Sequence, residues 1–275
     1  MSRENLKNNM LSEEIIRIDF MKLEKLDDNV NKLIPYMKQE GYQLNINTTY
    51  DINFEINDPD SLITQDIITK KTATQKINYV FKKDDINYTI NEYMLIFEKT
   101  KFDNYKGLNE YLKLLLYILK QIVEGETITY QRVGIRKTNS ILLKKESIIN
   151  KIFTNFNNSQ IDENSQVNIN NKKTVISEQR CYNLLTSISN GIATINEEDM
   201  EAYQIILDID FYTRNFEQQK SEYIINIINL LNQELYCVFE SELTKSMIEI
   251  LEKEEIEKEI QELGIIGGIN RCQKL

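Results

Sequence analysis

Apolar residues recur at every second position through much of this chain, and that period demands half-buried strands. Ile77, Tyr79 and Phe81 face Ile86, Tyr88 and Ile90 across Lys82-Lys83-Asp84-Asp85, the pattern of two strands joined by a polar turn. A short β-like run stands earlier at Ile15, Ile16, Ile18 and Phe20, and alternation then passes through Leu44 and Ile46, then Ile52, Phe54 and Ile56. A further strand is predicted over 93–98. Two helical stretches interrupt the series. One runs over 26–40 and is ended by Gly41, with Pro35 expected to break or kink it. The other carries Leu108, Tyr111, Leu112, Leu115, Ile118, Leu119 and Ile122, with Asp103 or Asn104 as the expected cap and Gly125 beyond its end.

The second half reads in the same order. A strand is predicted over 127–143, a short helix over 145–153, strands over 179–189, 192–196 and 203–213, and a long helix over 221–263. The economical fold is therefore α+β, with two pseudo-repeated β-α-β(n)-α halves, each an antiparallel sheet covered by a long helix. The halves are placed at 1–125 and 126–263 as parts of one integrated unit, with 264–275 a flexible tail. The polar run 155–173 reads as a loop, disordered in preference to functional.

The chain has no histidine, which removes the commonest general base and metal ligand. Three cysteines, Cys181, Cys237 and Cys272, stand too far apart for a metal clip or a disulfide framework. No cofactor and no metal are expected. The formal net charge of −10 repels nucleic acid and anionic membrane, and suits a basic or mixed-charge protein partner. With no membrane span or secretory leader in the pattern, a cytoplasmic address is expected.

Arg132, Gly134 and Arg136 share one face of the 127–143 strand, with Val133, Ile135 and Lys137 on the other. Two guanidiniums flank a residue without a side chain, a notch that can seat a carboxylate, a phosphate or another backbone. The competing reading pairs these arginines with carboxylates of a neighbouring strand. Asp208 and Asp210, on one face of the 203–213 strand, suit that role. Lys70, Lys71, Lys76, Arg136, Lys137, Lys144 and Lys145 are the nearest approach to a nucleic-acid footprint, and the lysines read better as solvated. The helical stretch 240–262 sets Leu243, Met247, Ile250 and Leu251 inward and leaves Glu249, Glu252, Glu255 and Glu259 outward as a candidate acidic surface.

On Arg132, Gly134, Arg136 and Asn139, the sequence resembles a sporadically distributed bacterial and archaeal family of uncharacterised proteins, with a strand motif R-x-G-x-R-Y-x-N after a long helix. Leu207-Asp208-Ile209-Asp210 and Phe239-Glu240-Ser241-Glu242-Leu243-Thr244 are further landmarks of the likeness. Lys137 departs from the motif, which usually has an aromatic there. The resemblance implies no established activity, and its patchy distribution implies genes carried in conflicts among microbes, viruses and plasmids.

The expected function is a non-enzymatic protein-binding module, an inhibitor, immunity factor or accessory subunit in such a conflict or antiviral defence system. Its candidate binding residues are Arg132, Arg136, Asn139, Asp208, Asp210, Glu252, Glu255 and Glu259. The alternative is a nucleic-acid or nucleotide-handling protein that sets Arg132 and Arg136 against phosphate and holds a metal on Asp208 and Asp210.

Overall fold

The alternating segments form strands, and most of them join a single sheet. The computed structural model describes residues 6–56, 68–123, 127–155, 167–177, 180–195, 197–214 and 218–272. The elements are β1 (Asn8–Asn9), β2 (Leu11–Phe20), α1 (Leu26–Gln39), β3 (Gln43–Ile56), β4 (Ile68–Lys83), β5 (Ile86–Asn91), β6 (Met94–Lys99) and α2 (Asn109–Ile122). Then come β7 (Thr127–Leu143), a 3-10 turn (Glu146–Ile148), α3 (Ile149–Ile152), β8 (Asn168–Ile176), β9 (Arg180–Ile195), β10 (Glu198–Thr213) and β11 (Gln218–Lys220). The chain ends in α4 (Ser221–Glu242), α5 (Lys245–Leu251), α6 (Glu257–Glu262), β12 (Ile265–Gly267) and β13 (Asn270–Arg271).

The strand order is β3-β4-β5-β6-β2-β7-β10-β9-β8, antiparallel throughout, with β11 and β12 also pairing β7. This overturns the expected pair of helix-covered sheets in repeated halves. The reason is β2, whose two edges bond β6 on one side and β7 on the other, so neither half closes on itself. Ile16, Ile18 and Phe20 of β2, Val133 and Ile135 of β7, and Ile205, Leu207 and Ile209 of β10 face inward. They meet Val30 and Leu33 of α1, Leu115, Ile118 and Leu119 of α2, and Ile224, Ile228 and Leu231 of α4 in one core.

Local expectations fail where tertiary contacts outbid them. Pro35 lies inside α1, which runs on to Gln39. Neither Asp103 nor Asn104 caps α2; Leu108 precedes its first residue, and Asn104 takes a left-handed φ of 60°. The predicted helix over 221–263 is three helices. Leu243 is extended and bridges Phe153, while the Thr244 N–H donates to the Ile152 carbonyl and the Thr244 hydroxyl to that of Lys151. The same hydroxyl accepts from the Met247 N–H and starts α5 anew.

Part of the polar run read as a loop, 168–173, belongs to β8; 156–166 lie outside the described residues. The expected tail also carries structure through 272. β12 pairs β7 at Leu142 and Leu143, β13 pairs β1, and the Cys272 N–H donates to the Lys7 carbonyl at 2.7 Å. Gly268, at φ 89°, makes the turn between them, where a Cβ would collide with the Ser140 carbonyl. Among the described residues no helix is long and apolar enough to cross a membrane.

Candidate functional site

Alternation on β7 is reset once, and the reset builds the site. Asp19 pairs with Arg132 but the next residue, Phe20, pairs with Tyr130, so an extra residue enters β7. Tyr130 therefore points into the core while Arg132 joins Gly134 and Arg136 on the outward face. On that face Arg17 of β2 lies opposite Gly134 from one side and Tyr212 of β10 from the other.

The two arginines meet the carboxylates of β10. Arg136 grips Asp208 bidentately, Nε to Oδ1 at 2.8 Å and Nη2 to Oδ2 at 2.7 Å, diagonally across the ladder. Arg132 passes over Gly134 to reach Asp210 at 3.1 Å, with its guanidinium carbon 4.5 Å from the centre of the Tyr212 ring. A Cβ at residue 134 would sit 3.2 Å from the Tyr212 Cβ, 3.3 Å from the Phe211 carbonyl and 3.6 Å from Arg132 Nε. Glycine there lets the Arg132 arm and β10 approach closely. Arg17 Nε donates to Asp19 at 2.8 Å.

These groups surround an open depression of about 400 Å³, lined by Ile15, Arg17, Ile96, Glu98, Arg132, Gly134, Arg136 and Asp210. Burial pushes the Asp210 carboxyl above the ordinary range and the neighbouring Asp208 adds to this, against Arg132, an Asn183 hydrogen bond and Arg136. The hydrogen bond to Asp208 pushes the Arg136 guanidinium up.

The other candidate residues lie elsewhere. Asn139 shares its parity with Lys137 and is buried on the inner face, where its amide donates to the Leu207 carbonyl at 3.3 Å. It does not join the arginines. Glu252 ends α5, Glu255 stands between α5 and α6, and Glu259 lies on α6, paired with Lys253 at 2.7 Å, so they form no single helical face. Leu243, Met247, Ile250 and Leu251 are buried.

Lys137, read as solvated, is buried, with 3% of its side chain exposed. It faces Glu14, whose side chain is 0% exposed, at 2.6 Å, and Tyr105 donates to the other Glu14 oxygen at 2.7 Å. Glu14 stands between Lys137 on β7 and Lys99 on β6, and Lys99 turns to Asp85. A cavity of about 40 Å³ lies against Lys137 and Asn139. Sequence reasoning missed this row and Arg17 because both depend on β2 lying between β6 and β7.

Guanidiniums, carboxylates and apolar walls can bind and orient a partner. Among the described residues no group of three or more Asp, Glu or Cys side chains is arranged to hold a metal ion. The chain matches no protein-family model and no curated protein.

Proposed function

We propose that this chain is a non-catalytic protein-binding module that docks its partner on the outward face of the sheet, around the depression over Gly134. The observation that carries the reading is the apolar content of that face. Ile96 of β6 and Ile15 of β2 lie to one side of β7, and Ile206 of β10 and Leu185 of β9 to the other, all on the outward face, half-buried, and none belongs to the core. Apolar side chains gathered on one sheet face among charged neighbours mark binding surfaces more than isolated ones do. Five carboxylates, Glu13, Asp19, Glu98, Asp208 and Asp210, share the region with three guanidiniums, Arg17, Arg132 and Arg136. With a net charge of −10, this favours a protein of basic or mixed charge over a polyanion. An inhibitor, immunity factor or accessory subunit acting in the cytoplasm would need such a surface and no reaction chemistry.

The test is capture from cells that encode the gene, followed by rebinding with purified components. Three baits are compared: wild type, Ile15→Glu with Ile96→Glu, and the α5–α6 variant Glu252→Lys, Glu255→Lys, Glu259→Lys. The proposal expects one saturable protein partner, retained by the α5–α6 variant and lost by the sheet-face variant at an unchanged unfolding midpoint. Tight, salt-sensitive binding of RNA or DNA by wild type, with no protein partner, would overturn it.

A further inference from the structure

We infer that the depression over Gly134 is a seat for one carboxylate of the partner, an Asp or Glu side chain or a chain terminus. This rests on the protein-docking reading above and names the chemistry at its centre.

Three guanidiniums converge on the depression, and their intramolecular pairs leave donors over. Arg136 spends Nε and one Nη on Asp208, Arg17 spends Nε on Asp19, and Arg132 spends an Nη on Asp210. A guanidinium carries more N–H groups than these bonds use. Arg132 Nε is buried and has no hydrogen-bond partner among the described residues. Each guanidinium is already charge-paired, Arg17 with Asp19, Arg132 with Asp210 and Arg136 with Asp208, so what the depression offers an acceptor is directed N–H donors and not net positive charge. A planar acceptor entering between Arg17 and Arg136 meets N–H groups from two strands, beside the Arg132 arm that crosses Gly134. Ile15 and Ile96 wall that space and lower the local dielectric, which strengthens such contacts.

A carboxylate fits better than the phosphates of a nucleic acid. One carboxylate on a mixed-charge partner feels the local guanidiniums, whereas a polyanion also feels the net charge of −10.

Arginine Nε–Hε NMR signals of the ¹⁵N-labelled chain, followed during titration, test this with N-acetyl-glutamate N-methylamide, inorganic phosphate and N-acetyl-glutamine N-methylamide as probes. The expected result is a saturable shift of the Arg17, Arg132 and Arg136 signals with the glutamate probe, none with the glutamine probe, and affinity about tenfold weaker in Arg17→Gln. Equal response to both amides, no response, or an unaltered affinity in Arg17→Gln would overturn the carboxylate seat. Stronger binding of phosphate, together with binding of a duplex RNA, would overturn it in favour of a phosphate site. Loss of protein capture by the Ile15→Glu, Ile96→Glu variant reads out the docking surface separately, so failure of the seat and failure of the surface are distinguishable.

Discussion

Replacing Lys137 by Met strands the Glu14 carboxylate in the interior, and its cost can be bounded from the structure. Neither side chain has appreciable solvent contact, and their charges meet at 2.6 Å. Breaking such a pair by removing one partner costs about 3–5 kcal/mol, because the remaining charge keeps its desolvation penalty. Protonation sets a ceiling. Neutralising a carboxyl of reference value about 4.3 at pH 7 costs about 1.36 kcal/mol per pH unit, or about 3.7 kcal/mol in all. The Tyr105 hydroxyl, 2.7 Å from Glu14, still offers one hydrogen bond and trims the loss. The expected deficit is therefore about 3 kcal/mol at pH 7, a fall of about 1 M in the urea midpoint if m is about 3 kcal/mol/M. The sign of the pH dependence follows. A carboxyl that binds its proton more tightly folded than unfolded costs nothing below the unfolded value and progressively more as pH rises, so the deficit should shrink towards pH 4. The double variant Glu14→Leu, Lys137→Met removes both charges and should recover most of the loss. A Lys137→Met deficit below about 1 kcal/mol at pH 7, or one equally large at pH 4, would refute the buried-pair reasoning.

Arg136→Ala should cost only about 1 kcal/mol by chemical denaturation, because 44% of its side chain is exposed against 12% for Asp208 and solvent takes over part of the pairing. Asp210→Asn should gain on wild type as pH rises: the folded-state carboxyl is pushed up by burial and by Asp208, so its ionisation costs stability that is not yet felt below about pH 3.8 and accrues above it. Paired urea curves at pH 4 and pH 7 read this directly, and a difference that stays constant would contradict the assignment. Gly268→Ala combines a left-handed φ of 89° with a clash against the Ser140 carbonyl, so it should detach β12 and β13. Faster amide exchange at Leu142 and Lys144, whose N–H groups face β12, with Leu143 and β10 protected as before, is the expected signature.

How far the sequence foretold this depends on how local each feature is. The bounds of β7, the inward row Val133 and Ile135, and the outward partnership of Arg136 with Asp208 all follow from a period of two on strands that lie side by side. The parity that places Lys137 inward also places Asn139 inward, a signal present in the sequence and outweighed by the motif's appearance. The bulge at Arg132 breaks parity, and no residue near it announces this. Breaks in the C-terminal helix are hidden because Leu243, Met247 and Leu251 keep helical spacing across them, while the deciding bonds come from Lys151 and Ile152, far away in sequence. β8 is an edge strand exposed along nearly its whole length, so its sequence carries no alternation to read. Above all, the insertion of β2 between β6 and β7 is long-range pairing, and it creates both the depression and the buried Lys–Glu row.

Docking on the outward sheet face is tested most directly by photo-crosslinking in cells that encode the gene. A benzophenone amino acid is placed at Ile96, on that face, and in a second protein at Tyr223, exposed on α4. The account predicts a single protein adduct from position 96 and none from position 223. An adduct confined to position 223, or nucleic acid as the crosslinked species at position 96, would contradict it.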